Sequence, residues 1–149
     1  MIPAMGLVGR FSVFPMYHQL EVRDAASADG CPQWETGEEP VLAASQCIVL
    51  ATRSDLEGEV QVEVWVGGLD GEPAGPLLFD GELLVTEQGV VVGSSLTEEL
   101  HPIGLPIGWH PLRIYADRPT DAARFTVVFD PGPEPSSSLA PPANERLPS

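Results

Sequence analysis

Three histidines, two cysteines and 22 carboxylates are the side chains in this 149-residue chain with the most reactive chemistry. His18, His101 and His110 are of the type that binds zinc or moves protons, but they could share a metal ion only if the fold brought all three together. His18 follows the same alternation as Leu20 and Val22, so it is expected to face inward as a hydrogen-bonded core residue. His101 stands before Pro102 in a loop, and His110 opens a strand. Cys31 and Cys47 are too few for a disulfide framework or a four-ligand zinc site. They read as two reduced thiols of a cytoplasmic protein, with a single bridge between them left open. Carboxylate pairs and a Ser-His-Asp set can be assembled on paper from any acidic chain, but no spacing and no nucleophile elbow singles one out. The chain has no Gly-rich phosphate loop, HExxH, CxxC or GxSxG. Gly68-Leu69-Asp70-Gly71-Glu72 lacks the alternate carboxylates and closing Glu of a calcium loop, and reads instead as a hairpin loop built on Asp-Gly. The expectation is a non-enzyme with no catalytic residues, no cofactor and no metal.

Charge says more than motif. The 22 acids face only seven basic residues, all Arg, for a net charge of -15. Between Glu21 and Glu99 there are 17 acids against Arg23 and Arg53, and the rest of the chain is neutral. A nucleic-acid binder needs a positive footprint to displace counterions, and an anionic membrane repels such a surface. Both partners are excluded on charge; a basic protein is favoured. The same charge would also serve solubility alone.

The elements that must carry these side chains are strands. In residues 58–67, GEVQVEVWVG, the valines at 60, 62, 64 and 66 take one face and Glu59, Gln61, Glu63 and Trp65 the other, the period-two pattern of a half-buried strand. Residues 46–52, 77–86, 90–94, 109–116 and 124–129 read likewise, with Phe125, Val127 and Phe129 inward in the last. A first strand is expected over residues 11–23 with a break at Pro15, and Pro111 marks an edge or a strand start. Glu87-Gln88-Gly89 reads as the turn of a hairpin. No stretch of a dozen residues has helical periodicity. The fold class is all-β, an antiparallel β-sandwich of about seven to eight strands over residues 11–130. Residues 1–10 read as a loose leader without a signal pattern. Residues 131–149, with six prolines and four serines, read as a disordered tail.

Several segments in order carry a resemblance: Met16-Tyr17-His18-Gln19-Leu20-Glu21-Val22, Gln33-Trp34-Glu35-Thr36, Leu84-Val85-Thr86-Glu87-Gln88-Gly89-Val90 and Leu105-Pro106-Ile107-Gly108. Together they cover about residues 12–129, and the chain resembles the ComJ family of competence proteins. The Pro-rich tail and the long 67–76 loop depart from that pattern. The resemblance implies a small acidic inhibitor of a DNA-entry nuclease. Its carboxylates would stand in the nuclease cleft where phosphates go, and electrostatic steering would speed association.

On that reading the candidate partner-binding residues are strand-borne carboxylates, because a sheet holds them rigid: Glu59, Glu63, Asp80 and Glu82, with Trp65 as aromatic anchor. Glu98 and Glu99, on a loop, come second. The alternative is a ligand-binding or scaffold sandwich with no inhibitory role. A concave face lined by Trp65, Tyr17 or Tyr115 would then hold a small molecule.

Overall fold

The valines at 60, 62, 64 and 66 are all buried, and the residues between them face outward, as their alternation requires. This strand is the pattern for the whole computed structural model, which describes residues 6–15, 18–26, 32, 39–86, 89–94 and 99–130. Ten strands form over the described residues: β1 (Gly6–Val13), β2 (Gln19–Asp24), β3 (Val41–Ala43), β4 (Cys47–Ala51), β5 (Val60–Val66), β6 (Leu77–Val85), β7 (Val90–Ser94), β8 (Glu99–Ile103), β9 (Gly108–Ala116) and β10 (Arg124–Phe129). A short 3-10 turn at Asp55–Glu57 precedes β5.

The strands make two five-stranded sheets, one in the order β1-β5-β10-β9-β6, the other β3-β4-β2-β7-β8. Each sheet has one apolar face, and the two faces meet in a single core. Phe125 and Phe129 supply its largest fully buried side chains; Leu20, Val22, Ile48 and Leu50 oppose them from the second sheet. Pairing is antiparallel except between β10 and β5, which run parallel.

The all-β sandwich expected from sequence is therefore found, with more strands than expected. The expected first strand is two strands in different sheets, because the chain turns between Pro15 and His18 and crosses from one layer to the other. Strand β1 begins at Gly6, inside the stretch read as a leader, because Gly6 to Arg10 pair with β5. Strands β3 and β8 are short edge strands whose half-exposed side chains give little alternation to read. The tail, residues 131–149, lies outside the described residues.

Four local expectations are corrected. Strands β6 and β7 are not a hairpin; they lie in different sheets. The loop at Asp70-Gly71 is not a hairpin either. Strands β5 and β6 are parallel members of one sheet, separated by β10 and β9, so residues 67–76 must cross the sheet's outer face. Strand β9 is no edge, being flanked by β10 and β6. Pro111 is tolerated because its ladder with β10 ends at Leu112, and the Pro111 carbonyl still accepts the Asp130 N–H at 2.8 Å. His18 is exposed, with φ of 60°, in the turn before β2.

The crossover is pressed onto the sheet. The Ala74 N–H donates to Thr126 Oγ1 at 2.8 Å, and the Ala116 N–H to the Pro76 carbonyl at 3.2 Å. Thr126 and Val128 are buried on the outward side of β10, where alternation alone would leave them exposed. Gly75 permits this approach, since a Cβ there would collide with the Ala116 carbonyl. Gly75→Val is expected to cost about 1–3 kcal/mol by overpacking. Thermal unfolding reads that loss, and faster hydrogen exchange at Ala74 locates it.

Two further contacts close the sandwich. Phe11 of β1 stacks on His101 of β8 with ring centroids 4.0 Å apart, and the Glu99 carboxylate accepts the Phe14 N–H at 2.9 Å. Both join edge strands of opposite sheets. At the other corner, Asp24 is buried at the end of β2. It accepts from Thr86 N–H (3.1 Å), Thr86 Oγ1 (2.6 Å) and Gln46 Nε2 (2.9 Å). Burial pushes its carboxyl up, but these bonds and one from the Ala26 N–H outweigh it, so Asp24 titrates below the ordinary carboxylate range.

Cys47 is disulfide-bonded, which corrects the reading of two reduced thiols. The chain's other cysteine, Cys31, lies outside the described residues. Disulfides persist in oxidising compartments and are rare in a reducing cytosol, so the thiols no longer support a cytoplasmic location.

Candidate functional site

The outer face of the first sheet carries most of the residues expected to meet a partner. Register fixes its rows. One row runs Leu7, Trp65, Val128, Arg113, Asp80 across β1, β5, β10, β9 and β6. A second runs Arg10, Glu63, Thr126, Tyr115, Leu77. A third sets Glu82 opposite Pro111, whose carbonyl holds the backbone of Asp130.

Glu63, Trp65, Asp80 and Glu82 thus share a sheet, with Glu59 just ahead of it, but they do not form one carboxylate wall. Trp65 and Asp80 are three strand spacings apart, roughly 14 Å. Glu63 is taken up locally: Arg10 Nε lies 3.0 Å from its Oε2, and Trp65 Nε1 donates to its Oε1 at 3.3 Å. Glu59 is half-buried ahead of β5, and its carbonyl holds the Arg53 guanidinium. Trp65 is half-buried between Leu7 and Val128, the centre of a short apolar strip. Glu99 is not on a loop. It opens β8 in the other sheet, and its carboxylate serves the Phe14 backbone. Glu98 lies outside the described residues.

The structure gathers a different set. Asp80, Glu82 and Asp130 surround the exposed ring of Pro111 at the end of the sheet where β10 finishes. Beside them is a cleft of about 300 Å³, lined by Gly67 and Gly68 of the crossover and by Asp80, Pro111, Arg113, Val128 and Asp130. Arg113 is the cation in this lining, against two carboxylates. At the opposite end of the same face Arg10 and Arg124 stand with Glu59, Glu63 and Asp117. Three carboxylates against Arg113 make the Pro111 end the more negative of the two. Asp130 was missed in the sequence because it stands past the last strand, at the border of the Pro-rich tail. The signal was present, since Arg124, Thr126, Val128 and Asp130 continue one period-two series outward.

The ligand-site alternative gains little here. Tyr17 lies outside the described residues. The crossover rests on Thr126, beside Tyr115 in register, Trp65 lies in a different row two strands away, and the cleft is lined by neither ring. The histidines stand apart: His18 exposed in a turn, His101 stacked on Phe11, His110 between two backbone carbonyls. Among the described residues no three His, Cys, Asp or Glu side chains gather as a metal-ligand set, and no helix is long and apolar enough to cross a membrane.

Two packed five-stranded sheets make this an all-β sandwich. No family model matches the chain, and no curated protein matches it in sequence. In structure it is similar to ComJ from Bacillus subtilis, an inhibitor of the DNA-degrading activity of NucA. The TM-score is 0.69 at 17% identity, over 85% of this chain and 98% of that one. The ComJ-like fold expected from the resemblance is the fold found.

Proposed function

We propose that this protein is a non-catalytic inhibitor that binds a DNA-degrading nuclease. The observation that carries this reading is the likeness to ComJ over nearly the whole of that inhibitor's length. Fold alone hosts many functions, so charge and surface must agree with it. They do: the net charge of -15 suits a nuclease whose cleft is built to hold phosphates. The partner face is the end of the outer sheet around Pro111. Asp80, Glu82 and Asp130 supply the negative charge there, and Leu7 and Trp65 the apolar contact. Rigid strands hold these groups in place before binding, which lowers the ordering cost of association.

The test is capture at low ionic strength. Immobilised protein is exposed to an extract of its source and eluted in salt steps, and each eluate is assayed for DNA degradation. Nuclease activity released by salt is the expected result. Eluates without DNA-degrading activity, from protein shown to be folded, overturn the reading.

A further inference from the structure

His110 is buried, with 2% of its surface exposed, on the inward side of β9. Its Nε2 lies 2.7 Å from the Pro106 carbonyl oxygen and its Nδ1 3.0 Å from that of Asp130. A carbonyl oxygen only accepts. A neutral imidazole has one N–H to give, an imidazolium two. A neutral ring in this place would set a nitrogen lone pair against a carbonyl oxygen, with little access to water to relieve it. We propose that His110 is a proton-dependent clamp. Carrying both protons, it ties residues 104–107 to the end of β10; on losing one, it lets the loop go.

The two partners are not equally dependent on the ring. Asp130 is also held by its own N–H, which donates to the Pro111 carbonyl, so the end of β10 keeps a second bond. The loop is anchored by Leu105 in the core, but Pro106 and Ile107 beyond it are exposed, Ile107 by 74%. The loop tip is therefore the part that loosens. The elements around His110 bring five ionisable side chains to this end of the molecule. Glu82 lies beside Leu83, the ring's register partner on β6, with Asp80 two residues before it. Asp130, Asp80 and Arg113 line the outer cleft. Asp24 is held by Thr86 and Gln46. Four acids against one Arg leave the surroundings negative, the sign that suits a cationic ring. The clamp does not depend on the identity of any partner.

The test uses the ¹³C,¹⁵N-labelled full chain at about pH 5.5 and about pH 8.5, either side of the ordinary histidine range. Imidazole nitrogen spectra are expected to show both His110 ring nitrogens protonated at the lower pH. The ¹³C resonance of the Pro106 carbonyl, which accepts from the ring, is expected to move upfield at the higher pH as that bond is lost, while the carbonyl of Val127 in the core does not change. In His110→Gln the Pro106 carbonyl resonance is expected to be the same at both pH values. The proposal is overturned if one His110 nitrogen is unprotonated at about pH 5.5 in the folded protein. It is also overturned if the Pro106 carbonyl resonance is the same at both pH values in the wild type. The wild-type spectra decide the matter even if the variant fails to fold.

Discussion

Asp24→Ala is expected to destabilise the protein by about 3 kcal/mol or more, since each buried donor left without an acceptor costs ~1–3 kcal/mol. The Thr86 backbone and hydroxyl and the Gln46 amide all lose their acceptor in that change. The carboxylate joins β2 of one sheet to the residue that follows β6 of the other, so the loss is a loss of contact between layers. Asp24→Asn keeps the shape but not the anion, and should recover only part of it. The pH dependence has a definite sign. The folded carboxyl titrates below the unfolded one, so its stabilisation is complete at neutral pH, above the unfolded value of about 3.9. It is lost as pH falls through the lower, folded value. Urea unfolding at neutral and strongly acid pH checks this. The gap between wild type and Asp24→Asn should be wide at neutral pH and narrow in acid.

Reversing Glu82 and Asp130 together to Lys is expected to weaken nuclease binding by about 100-fold or more, since close interfacial charge pairs couple by ~1.5–7 kcal/mol. The salt dependence of the remaining affinity should also flatten, because fewer attractive charges are left to screen. Glu63→Gln is the informative contrast. Glu63 already pairs with Arg10 at 3.0 Å on an exposed surface, and such pairs are worth ~0–1 kcal/mol. Its loss should change stability and binding little. Surface plasmon resonance at two salt concentrations reads both variants. Equal losses from the two sites would place the partner across the whole outer sheet rather than at its Pro111 end.

Strands with one wholly apolar face were legible in the sequence. Strands β7 and β10 were read at their observed bounds and β5 within a residue or two, because the alternation of valines and phenylalanines is what burial on one side demands. Pairing was not legible. Nothing local tells Leu83 that its neighbour is His110, or tells the chain that β6 and β7 part into different layers at Thr86. That choice depends on strand order, which is set by contacts far apart in sequence. The same limit governed the site. Glu63 looked available because its cation, Arg10, is 53 residues away and lay in a stretch read as a leader. Thr126 and Val128 looked exposed because the loop that covers them read as a hairpin. Of the chosen carboxylates, Asp80 and Glu82 lie in the negative end of the sheet. Asp130, beside them, carried the outward alternation one residue past the end of a strand.

The most direct test of inhibition is a titration. The purified protein is added in steps to the nuclease recovered from it by salt, and the rate of DNA degradation is followed at low ionic strength. The expected result is a linear fall to full inhibition near one equivalent, relieved by added salt and absent with the Glu82 and Asp130 reversals. Degradation that continues undiminished with the wild-type protein bound would contradict an inhibitory role and leave a binding sandwich without one.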